Sequence, residues 1–443
     1  MAAAAEPALS ELDHAGIARS LSQIADHRRD LADAFFERLE VIELPPEDQH
    51  GGIRVRRESG VAVRLVRRER TWLATRDGIS RETFSGAVRR VARALPRTAY
   101  PEPLFPEETW TEAPEAPEVL EFPAALTRAL RAHHVKLSYR LTVRRHRRWV
   151  RVIGTQLASG VERESFYSFE AETPWGRGGG LLTELGERAA ESLAGNLVHA
   201  WRAREAAPPE PRQSTVVLAP AATAVLLHEA VAHALETDTL ELGGHPEAAI
   251  GVELGAACLD VFDDPATAPE GVRRKADDEG HPVVRRCLLR GGKVEQPLAD
   301  GVWARRSEML RAGAGRRAHR HLPPAPRSTH LELMGGKAAR DELMAAAEGG
   351  LFLPEAERGR LDPRTGELEL RFAYGFRIRN QAPGVPVGPA TLRGHVSDVL
   401  KAVAGVAGDA ACAGAGWCAK GGLKLPVWAT APDVLLAAVR IEP

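Results

Sequence analysis

Residues 216–238, VVLAPAATAVLLHEAVAHALETD, constrain this chain more than any other stretch, because an apolar segment and metal-binding side chains coincide there. Val216, Val217 and Leu218 read as a short buried strand, and the Ala- and Leu-rich run after Pro220 reads as a helix too apolar to face water. Into it the sequence sets His228, Glu229 and His233. Polar groups in a dry helix cost several kcal/mol unless something satisfies them, and a divalent metal ion with its water would satisfy all three. The spacing adds a condition. In H-E-x-x-H the histidines stand about 40° apart around a helix, whereas in H-E-x-x-x-H they stand about 140° apart and cannot converge on one ion. The pattern therefore predicts a π-bulge, a kink or an early helix end between His228 and His233.

A chain of 443 residues exceeds one compact core. The Pro-rich AAPPEP at 206–211 suggests a boundary, giving residues 1–207 and 208–443 as two domains. The expected class is α+β, each domain a mostly antiparallel or mixed sheet with packed helices, the second carrying the buried metal-binding helix. A net charge of -1, with 27% charged residues of both signs, leaves no footprint for nucleic acid or an anionic membrane. The four cysteines are scattered rather than framed for disulfides, which suits a reducing cytosol. The opening MAAAAEPALSELDHA lacks a basic segment and a long apolar core, and no stretch is long enough to span a bilayer, so a cytoplasmic location is expected.

Taken in order, apolar residues at helical spacing over 17–39 predict an opening helix, and 60–75 a hairpin turning at RRER. Ser80 reads as the cap of a helix running to Ala94. The proline-rich, acidic stretch 96–123 reads as an extended linker. Alternation over 135–143 predicts a strand that turns at RRHRR, a solvated tip, and returns from Trp149. Residues 173–182, TPWGRGGGLL, lack phosphate-loop spacing and read as a flexible loop before a helix over 182–197. Further on, 250–262 reads as strand, ADDEG at 276–280 as a turn whose carboxylates are solvated or hold a cation, and 368–378 as one long period-two strand. By residue type Cys418, Cys412, Cys258, His245 and Glu236 all compete for a third metal position. His321, Arg327 and His330 are candidates for binding substrate or stabilising an oxyanion.

Together these residues resemble the TldD/PmbA family, also called modulator of DNA gyrase proteins. The family's metal helix reads HEAVGHGLEGD, where this chain has HEAVAHALETD. A DDEG follows at 277–280, G-R-R at 315–317, P-R-x-T at 326–329, and C-x-K-x-G at Cys418, Lys420 and Gly422 before Leu425, Pro426 and Val427. GVAVRLV at 60–66 is similar to the family's first domain. The resemblance implies a cytosolic zinc-dependent peptidase acting on small or unfolded peptides, including precursors of peptide natural products. Carried over, it makes His228, His233 and Cys418 the Zn²⁺ ligands and Glu229 the general base. It also implies a dimer, either a homodimer or a heterodimer with a TldE/PmbA-like paralogue that lacks the histidine motif. This chain keeps the motif and so resembles the catalytic kind. It departs from the family at Ala232, Ala234 and Thr237 in place of glycines, and at His330 in place of asparagine. A hydrolase of non-peptide amides, or a non-catalytic subunit of a peptidase dimer, is the alternative.

Overall fold

In the computed structural model every residue of the chain is described except 1–8, 26–29, 48–51, 69, 94–114, 242, 245–247, 310–312 and 421–422. Strand β1 (Leu31–Leu44) lies inside a six-stranded antiparallel sheet of order β3-β2-β1-β4-β5-β6. The others are β2 (Arg54–Arg67), β3 (Arg70–Asp77), β4 (Arg140–Gly154), β5 (Ala158–Thr173) and β6 (Gly176–Leu182). Along β1 side chains alternate between faces. Ala32, Ala34 and Phe36 pack beneath helices His14–Ser22 and Arg81–Ala92, and Ile42 beneath Pro117–Ala132 and Glu187–Ala203. Ser80 caps Arg81–Ala92 as expected, its hydroxyl accepting from the Thr83 amide.

Several expectations fail here for identifiable reasons. The opening helix ends at Ser22, and residues 31–39 are strand. Leu31, Phe35 and Leu39 are four apart, a spacing that serves a helix stripe and one face of a strand equally well. RRHRR is no hairpin tip but the middle of β4, where Arg144 binds Glu43 at 2.6 Å and Arg148 binds Glu37 at 2.8 Å across β1. The chain turns instead after Gly154, and β4 begins only at Arg140. The glycine-rich 176–182 is strand β6, at the edge of the sheet. The end of the supposed linker is a helix, Pro117–Ala132: Pro117 sits in the first turn, where its missing N–H costs nothing, and Pro123 is carried inside. Residues 96–114 of that stretch lie outside the described residues.

The second sheet has thirteen strands of mixed direction around the 20-residue strand Leu423–Glu442. That strand pairs antiparallel with Val403–Lys420, Arg212–Leu218 and Ala390–His395, and parallel with His330–Leu333. Its core includes the expected short strand Arg212–Leu218, whose Val216 and Leu218 are fully buried. Of 250–262 only the end is strand, within Val261–Asp263. The supposed single strand 368–378 breaks into Glu367–Phe372 and Gly375–Arg379, which pair with different neighbours, a division that unbroken alternation conceals. The fold is α+β. No helix among the described residues is long and apolar enough to cross a membrane.

The other face of β1 is charged yet buried, and it is where the two sheets meet. Asp33 accepts from Arg64 and from Arg317, each at 2.7 Å, and Arg64 also reaches Glu279 at 2.7 Å. Arg274 binds Glu164 at 2.9 Å and Asp278 at 2.6 Å, while Arg148 donates to the Arg317 carbonyl. The acids of ADDEG are thus neither solvated nor grouped around a cation: Asp277, Asp278 and Glu279 are all buried. Asp278 is wholly desolvated, and Arg274 and Arg148 still hold its carboxyl well below the usual range. Each group is tolerable only because its partners are present. Arg64→Met leaves Asp33 and Glu279 short of a cation, and is expected to destabilise the protein by about 3–5 kcal/mol in urea unfolding; a loss under about 1 kcal/mol would mean that this contact does not hold the sheets together.

Candidate metal centre

The apolar helix Pro220–Leu227 follows directly from Arg212–Leu218, with Pro220 in its first turn and Ala219 extended before it. At His228 the winding changes. Residues His228–Ala232 form a π-helix and His233–Leu235 a 3₁₀ turn, so the irregularity that the five-residue spacing requires is present. Widening one turn brings the second histidine back beside the first: the rings lie 4.5 Å apart, centroid to centroid, at 62°. Cys418, near the end of strand Val403–Lys420, places Sγ 3.5 Å from His233 Nε2. One donor atom from each of His228, His233 and Cys418 falls within 4.8 Å of the others.

The donor set fits a metal cation. His228 is 3% exposed, and both its ring nitrogens are buried without a hydrogen-bond partner, an arrangement native interiors avoid. Burial, and then the neighbouring His233, hold its pKa well below the ordinary value, so the ring is neutral and free to ligate. His233 is oriented from behind. Its Nδ1 lies 3.0 Å from Glu236 Oε2, leaving Nε2 toward Cys418. Burial opposes charge on that ring, but Glu236 and Cys418 together raise its pKa well above the usual value. Glu236 is fully buried, yet His233, Arg327 and Lys420 bring its pKa down to about 2. Lys420 spans Glu236 at 2.7 Å, Asp238 at 2.6 Å and Thr239 at 2.9 Å. Two imidazoles and a thiol are a donor set suited to Zn²⁺.

Glu229 stands beside this cluster without joining it. Its carboxyl meets the Leu361 amide, and burial is the largest influence, raising its pKa. Gly359 makes room for it: a Cβ there would lie 2.3 Å from Glu229 Cγ and 2.9 Å from Val225 Cγ1. His228 and Glu229 both line a cavity of about 1810 Å³ between the sheets. Its other walls come from β4 to β6, helix Glu187–Ala203, residues 354–359 and the ends of the Val403–Lys420 hairpin.

The remaining candidates lie one residue further out. Arg327 is buried against Glu236 at 3.6 Å and so supports the group that orients His233 rather than facing the cavity. His330 is buried between Thr430, at 3.0 Å, and the Asp264 carbonyl, and touches the cavity only through Thr430 and Thr267. His321 is exposed, bonded to Thr75 and stacked on His319, which does line the cavity. Cys258 is exposed and Glu236 is engaged by His233 and Lys420; His245 lies outside the described residues, as does the side chain of Cys412. The sequence reading overlooked the Glu236–Lys420 pair as an orienting device. Its signal was the acid three residues after His233 combined with the lysine two residues after Cys418.

A family model described as the PmbA/TldA metallopeptidase C-terminal domain matches residues 211–442. The chain is 27% identical over 228 residues to the metalloprotease TldD homolog of Buchnera aphidicola, covering 51% of this chain and 47% of that one. It is 29% identical over 254 residues to a metalloprotease of Methanothermobacter thermautotrophicus, covering 57% of this chain and 54% of that protein. A more distant relative in Saccharolobus solfataricus, 21% identical over 234 residues and covering 53% of this chain and 52% of that one, is named a zinc metalloprotease TldD homolog. The chain thus spans about half the length of the curated relatives it matches. The crystal structure of TldE from Thermococcus kodakarensis superposes with a TM-score of 0.72 at 16% identity, covering 96% of this chain and 99% of that one, a likeness of fold. With the family's domain matched from 211 to 442, the part of the chain that carries the histidines and the cysteine, this protein belongs to the PmbA/TldD metallopeptidase family.

Proposed function

We propose that this protein is a zinc-dependent peptidase that hydrolyses peptide bonds in small or unfolded peptides. The observation that carries the reading is the buried His228, both ring nitrogens unpartnered, within reach of His233 Nε2 and Cys418 Sγ in the wall of a cavity between two sheets. His228, His233 and Cys418 would hold the ion, which when bound supplies a Lewis acid for a carbonyl oxygen and lowers the pKa of water. Glu229 is placed for the proton work. Its partly desolvated carboxylate accepts a proton from the attacking water and returns it to the leaving amine nitrogen. Glu236 holds Nδ1 of His233, and Lys420 with Arg327 keeps Glu236 ionised, so the ring cannot turn away. At about 1810 Å³ the cavity has room for a short peptide and is far smaller than a folded domain.

Three substitutions separate these roles. Glu229→Gln is expected to lose at least about 100-fold in kcat while elemental analysis still finds one zinc per chain; zinc lost with the carboxylate would make Glu229 a ligand and end its role as base. Cys418→Ala removes a direct ligand, so its zinc affinity should drop by more than the 10- to 100-fold typical of an outer contact. Purification of that variant with a full complement of zinc would exclude Cys418 from the centre. Gly359→Ala should keep its zinc but displace Glu229, and a displacement of about 1 Å is enough to cost on the order of 100-fold in turnover. Unchanged kcat in that variant would show that Glu229 is not held where the reaction needs it.

A further inference from the structure

Glu355 is a largely enclosed acid of the cavity wall that lacks a counter-ion among the described residues. It follows Leu351–Leu353 and Pro354, lines the cavity, and forms no ion pair with any described Arg, Lys or His. Its hydrogen bond comes from a neutral group: the Asn196 amide donates to Oε2, and the Asn196 carbonyl in turn accepts from Tyr374 OH at 3.2 Å. Tyr374 is itself fixed by the His199 ring at 5.8 Å and by Phe376. A desolvated carboxyl held this rigidly is costly to ionise, and burial with the nearby Glu357 raises its pKa to about 7. A cation entering the cavity would reverse that cost.

We propose that Glu355, positioned by Asn196 and Tyr374, is a subsite for a positively charged group of a peptide substrate, either its amino terminus or a lysine or arginine side chain. The assignment rests on the peptidase reading above. Its distance from the reacting centre follows from the chain. Gly359 touches Glu229, and Glu355 lies four residues before it. At about 3.3 Å per extended residue the backbones of Glu355 and Gly359 are at most about 13 Å apart. The subsite is therefore a few residues of extended peptide from the cleaved bond, along a wall where Gly359 meets Val225 and Glu229. Substrate charge near the scissile bond, not only backbone shape, then determines which peptides are cut.

The test compares Glu355→Gln with the unaltered protein. Glutamine keeps the shape and can still accept from Asn196, so thermal stability serves as the control for a purely structural role. Four peptides of one length are used: a free amino terminus, the same peptide acetylated, and acetylated peptides with one lysine or one glutamate three residues from the cleaved bond. The expected result is a KM rise of at least about 10-fold in Glu355→Gln for the cationic peptides, with kcat and the acetylated neutral peptide unchanged. Preference for the free amino terminus or for lysine identifies which cation is bound. Equal KM values for all four peptides in the unaltered protein, or an equal change for all four in the variant, would overturn the subsite. Equilibrium binding of the same peptides to Glu229→Gln is read in parallel. There, cleavage is not needed, so charge-dependent binding lost on adding Glu355→Gln supports the subsite even if no peptide is turned over, whereas charge-independent binding rejects it. Absence of any turnover by the unaltered zinc-loaded protein would count against the peptidase reading alone.

Discussion

Three ionisable side chains set into a helix of alanine, valine and leucine can be stable only if the helix delivers them to something that compensates them. The π-turn at His228–Ala232 is how this chain does so. One extra residue in the turn brings His233 round to His228 and leaves Glu229 lining the cavity outside the group of three donors. A regular helix would have buried the same residues on separate sides with nothing to share. The remainder of the centre accommodates that turn: Gly359 yields space to Glu229, the Cys418 strand end closes the donor set, and Glu236 fixes the second imidazole.

The reaction space depends on a second and different kind of burial. The two sheets meet through arginines and carboxylates beside a small apolar cluster of Phe166, Leu181, Ala268, Val272 and Trp428, and the cavity lies alongside that contact. Buried ion networks of this sort add little net stability compared with a hydrophobic contact, but they hold their partners in one register, since any misfit strands a charge. A wide cavity can therefore stay open between rigid walls. Glu355 belongs to neither device; it has no cation of its own among the described residues, whereas buried acids such as Asp33, Asp278 and Glu236 are paired with arginine, lysine or histidine.

Much of the fold was legible where one face is apolar and the other meets water. The Ser80-capped helix is of this kind, while the hairpin over 60–75 and the short strand before the metal helix were legible from their β-rich apolar runs although they are largely buried. Legibility failed where charged side chains are buried against partners far along the chain. Strand β1 carries Asp33 and Glu37 inward against arginines, so its pattern reads as a helix; RRHRR reads as a solvated tip because nothing local shows that β1 supplies Glu37 and Glu43 across from it. ADDEG was misread for the same reason, its partners lying far away along the chain.

By itself the sequence determined that His228, Glu229 and His233 share an apolar helix, and that a helix carrying them at that spacing must be irregular, since both conclusions rest on the fixed pitch of the backbone over six residues. Everything that depends on long loops closing was decided by tertiary structure. Cys418 lies 185 residues from His233 and reaches it only because Val403–Lys420 hairpins back on the central strand. Arg327, His321 and His330, alike as cationic candidates in the sequence, were separated by packing into a support for Glu236, an exposed contact of Thr75 and a buried neighbour of Thr430. Local periodicity carries no information about which distant side chains will share a cavity, because that is settled by how two sheets dock.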